Sequence, residues 1–396
     1  MSTTPILVDD FTSFPISNTP PNPPTYNTFI YFQFPEYNFV ANDGNVLSGP
    51  QGTTIGSVPY TLTINNGLDH VKWLALRSKP FTLPDTGELI TQTLISGRQI
   101  NVENNPFPKD LVPNPHADPR LSMVGPTNIS YVSYRSLTIF LTSDILTTDD
   151  VIYGIYEILP FAKPSYDPSN TTIDYASFTA LIPIGDKRDM DPRTGEFIAA
   201  TAYNKTAGYY RFIINGEERF RVTNLGHYPD PKYIVINHGG PPTNLTIDNV
   251  QTGYGLFTLL DGAISCPNLN CTLPALVRLD PATDYFNPCN NSIPEVFYDS
   301  IDQKSNRIFG QGGILNLRQQ TVYLSSITPP PLAIYPTFLG ACPVSKHIEV
   351  EEEGIPEKLN NCTVANISLQ AMDNNTGRIL SIPLRDIVYS IISMSK

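Results

Sequence analysis

The stretch Gly195–Val222, GEFIAATAYNKTAGYYRFIINGEERFRV, reads as three strand-like runs of apolar and aromatic residues joined by two turns. Between Tyr209–Ile214 and Glu217–Val222 stands Asn215-Gly216, the pair that supplies the two positive φ values of a type I′ hairpin. Phe197–Tyr203 precedes it across Asn-Lys-Thr-Ala-Gly, so the pattern predicts a three-stranded antiparallel meander. With a two-residue turn, Ile214 pairs with Glu217, Phe212 with Arg219 and Tyr210 with Arg221, all on one face. That face interleaves aromatic and arginine side chains, as a sugar-stacking sheet does.

Further strand patterns precede the meander at Tyr60–Ile64, Val71–Leu76, Leu89–Ile95, Ser130–Leu141, Val151–Leu159 and Tyr175–Ile182, and follow it at Tyr233–Asn237, Gly255–Leu260, Ala275–Leu279 and Gly313–Ser325. Asn, Gly, Pro and Asp clusters separate them. No amphipathic helix intervenes to make a parallel crossover, so an all-β sandwich of antiparallel sheets is expected. Residues 1–26 contain Asn18-Thr-Pro-Pro-Asn-Pro-Pro24 and read as a Pro-rich N-terminal arm. Thr328-Pro-Pro-Pro331 marks a second boundary, with 327–343 as a Pro-rich linker and 344–396 as a small C-terminal β module. In that module Thr363–Gln370 and Ile379–Ile392 are strand candidates, the last residues alternatively a short helix.

Composition agrees with this picture: 38 prolines, 25 glycines and 21 tyrosines among 396 residues, with 16% charged, describe many short strands and tight turns. The net charge of −12 is spread along the chain, which argues against a nucleic-acid partner. No apolar run approaches the roughly 18–20 residues of a membrane span. The N-terminus, MSTTPILVDDF, has neither a basic nor an apolar leader region, so cytosolic synthesis is expected. Five cysteines lie in the last third; Cys266 and Cys271 could close a small disulfide loop, beside the alternative of reduced thiols, and no zinc site is expected. Nine Asn-x-Ser/Thr sequons, at Asn128, Asn170, Asn204, Asn244, Asn270, Asn290, Asn361, Asn366 and Asn374, read mostly as turn chemistry.

The segments VIYGIYEILPF (Val151–Phe161) and YASFTALIPI (Tyr175–Ile184), together with the meander, resemble laminarinase-type glycoside hydrolases. That resemblance implies a concanavalin A-like jelly roll over 27–326, two curved antiparallel sheets packed face to face. A closer similarity is to an uncharacterised family, a domain of unknown function. It is carried by DHVKWLAL (Asp69–Leu76), ISGR (Ile95–Arg98), YGIYEILPF, the meander with Asn224–His227, His238-Gly-Gly240, GYGLFTLLDG (Gly253–Gly262), LVRLD (Leu276–Asp280) and FGQGGILN (Phe309–Asn316). That family brings no activity with it.

The laminarinase-type motif Glu-x-Asp-x-x-Glu is absent; its place is taken by GDKRDMDPRTGE, whose Asp186, Asp189, Asp191 and Glu196 sit in a Pro/Gly turn. A retaining glycosidase needs two carboxylates roughly 5 Å apart across the bond it cuts, so inherited hydrolysis is not expected. The same aspartates, with Asp9 and Asp10, are candidates for a structural calcium ion, no other cofactor being expected. Glu157, His227 and Arg98 are the candidate catalytic residues, with Tyr156 and His70 beside them. Tyr156, Tyr210, Phe212, Arg219 and Arg221 are the candidate ligand-binding residues.

The function expected from the sequence is that of a non-catalytic, lectin-like surface or structural protein. It would bind a polysaccharide or other glycan and assemble as a homo-oligomer, through its C-terminal module, on a spore, virion or cell envelope. The alternative is a carbohydrate-active enzyme, a glycoside hydrolase or polysaccharide lyase, using the concave face.

Overall fold

The computed structural model describes residues 5–326, apart from 65, 136, 162–172, 265–272, 281–284 and 301–302, together with the strands Ser368–Met372 and Ile379–Pro383. The chain divides into two compact units, Met1–Thr337 and Phe338–Lys396. In the second, the two strands just named pair antiparallel, Ser368 against Pro383 and Met372 against Ile379. The terminal helix considered as an alternative lies outside the described residues.

The first unit is a jelly-roll sandwich of the concanavalin A-like kind. One sheet runs in the order Glu217–Thr223, Tyr209–Ile214, Phe197–Asn204, Glu88–Ile100, Gly312–Ser325, Gly52–Ser57, Asn45–Gly49. The other runs Ile234–Gly239, Ser177–Asp186, Val151–Ile158, Leu137–Thr147, Met123–Tyr134, Asn249–Phe257, Val71–Arg77, Phe29–Tyr31, Ile16–Ser17. Pairings within both are antiparallel except the short edge pair Ile16–Ser17 with Phe29–Tyr31. Between the sheets lies an aromatic-rich core that includes Trp73, Tyr156, Phe178, Tyr203, Tyr210, Phe212 and Tyr254, each 1% exposed or less. Burial of such side chains is the main stabilising term, roughly 25 cal/mol per Å2 of apolar surface.

The second sheet carries another apolar cluster on its outer, concave face, containing Leu74, Met123, Ile129, Leu146, Ile155, Leu181 and Phe257. Alternation explains the two-sided burial: Tyr156 and Ile158 enter the inter-sheet core while Ile155 joins the concave cluster. Ala275–Val277 and Phe297–Asp299, a parallel two-stranded piece, bring Ala275 and Phe297 onto that concave cluster.

Several expectations are corrected. The first residues of the 1–26 arm belong to the sandwich: Pro5–Asp9 pairs with Gly312–Ser325, and Leu7, Phe11 and Phe14 are buried in its core. The proline cluster begins only after Thr19, and Pro5, as the first residue of its strand, leaves the apolar alternation that follows free to pair. Ser130–Leu141 is the turn region of a hairpin, Met123–Tyr134 with Leu137–Thr147, and Arg135 adopts φ +54° at its tip. Tyr60–Ile64 is irregular because the Asp43 carboxylate takes the Thr61 and Leu62 amides at 2.8 and 2.9 Å in place of a neighbouring strand.

The meander forms as expected, Asn215 and Gly216 both at positive φ. Its register slips by one beyond Ile213–Glu218, where a bulge leaves Arg219 without a cross-strand partner. Phe212 consequently faces Phe220, and Tyr210 faces Val222.

Candidate functional site

Glu157 ends an alternation in Val151–Ile158 whose even members fill the inter-sheet core. Gly154 in that strand has no alternative: a Cβ there would sit 2.6 Å from the Phe212 ring. The close contact of strand and meander fixes which face Glu157 shows. Its Oε2 accepts a hydrogen bond from Thr142 Oγ1 at 3.1 Å and its Oε1 one from Thr179 Oγ1 at 2.6 Å, from the strands on either side. Two residues along from Thr142, and so on the same face, stands Asp144, 4% exposed, whose Oδ1 accepts the Asn128 amide at 2.8 Å.

Across the concave face, the 3-10 turn Gly67–His70 presents His70. Asn66 caps that turn by accepting the Leu68 amide at 3.0 Å, and Thr258 N–H holds the His70 carbonyl at 2.8 Å. The imidazole Nε2 lies 2.5 Å from Asp261 Oδ1, and the other carboxylate oxygen accepts from Tyr285 OH at 2.6 Å. The Asp280 amide in turn donates to the Tyr285 hydroxyl at 3.1 Å. Glu157, Asp144, His70, His238 and Asp280 line one small chamber of about 80 Å3, whose walls include Leu74, Met123, Ile155 and Phe257. Glu157 and His70 keep part of their surface open to it.

These surroundings move the ionisation of Glu157, His70, Asp261 and Asp144. Burial pushes the Glu157 carboxyl up, against the Thr179 and Thr142 hydrogen bonds and the nearby His70 charge. Burial by itself would lower His70, but the Asp261 carboxylate outweighs it and raises the imidazole on balance. Burial would raise Asp261, yet His70 and the Tyr285 hydroxyl bring it below the ordinary carboxylate value. Asp144 is pushed up to about 8, chiefly by burial. The site therefore sets Asp144, whose proton is held tightly, on the same face as Glu157, while the contact between His70 and Asp261 favours the charged form of each.

Asp144 supplies a testable pH dependence. A carboxyl protonated up to about pH 8 in the folded chain but only to about pH 4 in the unfolded one makes the native state bind the extra proton between them. Its contribution to stability is then full below about pH 4 and is lost as pH rises toward about 8. Thermal unfolding of wild type and Asp144→Asn across that range is expected to show a decline in the wild type that the variant flattens. Parallel curves would remove Asp144 as its cause.

Of the residues singled out in the sequence, the structure brings Glu157 and His70 to this chamber. Tyr156 points the other way, 1% exposed in the inter-sheet core, its hydroxyl accepting the Gly226 amide at 2.7 Å. His227 is on the surface, 2.7 Å from Asn244 Oδ1, and Arg98 is exposed on the opposite sheet, across from Ile314. Tyr210 and Phe212 are fully buried between the sheets. Arg219 pairs with Asp189 at 2.6 Å and Arg221 with Glu218 at 2.8 Å, while the Arg221 guanidinium covers the Tyr209 ring. The bulge separates the aromatic from the arginine side chains, so the interleaved face does not form.

The calcium candidates are engaged locally. Asp9 pairs with buried Arg77 at 2.7 Å, and Asp10 accepts from Thr12. Asp186 pairs with Arg188 and forms a capping box with Asp189, Asp191 accepts the Arg193 and Thr194 amides, and Glu196 pairs with Arg318. Among the described residues no group of three or more His, Cys, Asp or Glu is placed to hold a metal ion. No helix of the described residues is long and apolar enough to cross a membrane. Cys266 and Cys271 lie outside the described residues; Cys289 is disulfide-bonded.

Sequence reasoning passed over Asp144, Asp261, Asp280 and Tyr285. A signal existed for Asp144, the one charged residue of the strand Leu137–Thr147; Asp261-Gly262 reads as an ordinary turn.

Beside the chamber and sharing Phe32, Phe140 and Phe161 with it lies a wider depression of about 470 Å3. Half-buried rings line it: Tyr31, Phe32, Phe34, Tyr131, Phe140 and Phe161, with Asn18 and Gln33 beside them, the Gln33 Nε2 donating to the Asn18 carbonyl at 2.7 Å. Tyr131 meets Phe140 edge to face at 5.2 Å, and Phe34 meets Phe161 at 5.3 Å.

A family model described as "Family of unknown function (DUF6081)" matches residues 40–326. The uncharacterized protein L829 of Acanthamoeba polyphaga mimivirus is 24% identical over 385 residues, covering 77% of this chain and 87% of that protein. Among solved structures, an endo-1,3-beta-glucanase from Streptomyces sioyaensis covers 82% of this chain and 97% of its own at 9% identity and a TM-score of 0.36. The Crh5 transglycosylase in complex with NAG covers 81% and 83% at 10% identity and a TM-score of 0.34.

Proposed function

We propose, from the premise that the chain belongs to the family of unknown function DUF6081, that it is a glycan-binding protein whose ligand rests in the aromatic depression of the concave face and is not cleaved there. The observation that carries this reading is the set of half-buried rings around a space of about 470 Å3, a size that suits a small oligosaccharide. Pyranose rings offer flat C–H faces to aromatic side chains and hydroxyls to amides such as Gln33 and Asn18. Two features support binding over cleavage. The chamber holding Glu157, about 80 Å3, is much narrower than the depression beside it, about 470 Å3. Burial raises both Glu157 and Asp144 on the same face, the latter to about 8, which disfavours the ionised carboxylate that hydrolysis requires of one member of a pair.

A glycan array followed by calorimetric titration tests the reading: saturable binding lost in Phe140→Ala supports it, and binding unaffected by that change overturns the assignment of the cleft. The role of the C-terminal module in surface assembly stands beside it as a proposal, supported by that module's being a compact unit by itself.

A second reading, a carbohydrate-active enzyme, is favoured by one observation. Glu157 is a buried acid with a raised pKa, facing an imidazole oriented by Asp261. In that reading Glu157 donates the proton to a leaving oxygen, and loss of turnover in Glu157→Gln is its signature.

A further inference from the structure

Four of the nine sequons lie on residues whose side chains the structure describes, and they divide sharply. Asn128 is 3% exposed in the middle of a strand paired on both sides, its Nδ2 donating to the Ser143 carbonyl at 3.0 Å. Asn204 is 5% exposed, its Oδ1 taking the Ala207 amide at 2.8 Å. Those two are structural. Asn244 and Asn290 are exposed, and in both the carboxamide oxygen is occupied by a donor: His227 Nε2 at 2.7 Å for Asn244, and Ser292 Oγ at 2.7 Å for Asn290.

Asn290 opens the strand Asn290–Pro294, exposed along its whole length. The Ser292 amide also donates to Asn290 Oδ1, at 3.1 Å. The hydroxyl two residues on is thus bonded to the carboxamide oxygen, and the nitrogen is left toward solvent. The preceding residue, Cys289, is in a disulfide. Disulfides form and persist in oxidising compartments, the secretory lumen among them, and that lumen is also where Asn-x-Ser/Thr acceptors are glycosylated. The two observations are independent: one concerns access and geometry at Asn290, the other the chemical environment of the residue beside it.

We infer that Asn290 is an N-glycosylation acceptor, with Asn244 as a second, and that the chain passes through an oxidising secretory compartment. In the step itself, Asn290 Nδ2 bonds to the anomeric carbon of an oligosaccharide carried on a lipid diphosphate. The bond from that carbon to the diphosphate oxygen breaks, the lipid diphosphate leaves with the electron pair, and the amide nitrogen gives up one proton. The Ser292 hydroxyl, donating to Oδ1, polarises the carboxamide. Transfer to Asn128 or Asn204 would place a bulky polar group inside a sheet, so chains modified there do not reach the folded state.

Protein isolated from its native source decides the matter. Treatment with peptide N-glycanase in heavy-oxygen water converts each glycosylated asparagine to labelled aspartate, which tandem mass spectrometry locates. Label is expected at Asn290 and Asn244 in most molecules, and none at Asn128 or Asn204. An unlabelled Asn290, or label at Asn128 in folded protein, overturns the inference. Alkylation of the same material before and after reduction reads the compartment separately. Cys289 is expected to react only after reduction, and a Cys289 reactive beforehand overturns the secretory assignment whatever the glycan result.

Discussion

Replacing Lys72 by methionine lowers the unfolding free energy by about 3–5 kcal/mol, a large part of a domain's whole stability. Lys72 is fully buried; its ammonium lies 3.1 Å from Asp69 Oδ1 and donates to the Leu62 carbonyl at 2.8 Å. Burial pulls its pKa down, and the Asp69 carboxylate opposes that. Asp69, 1% exposed, also accepts the Ile64 amide at 2.8 Å and sits 4.0 Å from buried Arg307. Without the ammonium, Asp69 is a buried charge left with the more distant guanidinium. Urea unfolding measures the loss, and the pairing argument adds a sharper expectation. Asp69→Asn combined with Lys72→Met recovers a substantial part of the stability, because removing both charges costs less than stranding one. A double variant no better than the sum of the singles would show that packing, and not charge pairing, is what Lys72 supplies. The site is affected as well, since Asp69 lies in the same 3-10 turn as His70 and helps set its position.

Phe140→Ala weakens glycan binding by about thirtyfold, equivalent to ~2 kcal/mol. Phe140 borders both the chamber and the depression, so its ring forms the wall where the two meet. Its edge-to-face partner Tyr131 holds it in place. Removing the ring takes away a stacking surface and opens the chamber to water. Phe140→Tyr keeps the surface and is expected to retain most of the affinity. If the alanine variant binds as tightly as the wild type while remaining folded, the ligand lies elsewhere on the molecule.

The fold was largely legible in the sequence because its signals are local. Asn215-Gly216 specifies a turn through the φ values only such residues tolerate, and apolar runs bounded by Gly and Pro specify strands. What escaped was set by contacts distant in sequence. The bulge beyond Ile213 depends on how the meander packs, and one inserted residue was enough to separate Tyr210 and Phe212 from Arg219 and Arg221. Pro5–Asp9 looked like a free arm because its partner strand lies more than 300 residues downstream. The site followed the same division. Glu157 and His70 could be found because they lie in segments that carry the family resemblance, but Asp261 and Tyr285 reach His70 only through the folded chain. Asp144 is a strand residue whose burial is tolerated because its pKa, pushed up to about 8, favours the neutral form.

In the function proposed above, the concave face binds a glycan without cutting it. The most direct test takes a glycan that the protein binds and incubates it with wild type and with Glu157→Gln, following chain length and new reducing or unsaturated ends by mass spectrometry. An unchanged glycan is expected with both proteins, and similar affinity for both. Shortened chains with the wild type, absent with Glu157→Gln, would contradict it and make Glu157 a catalytic acid.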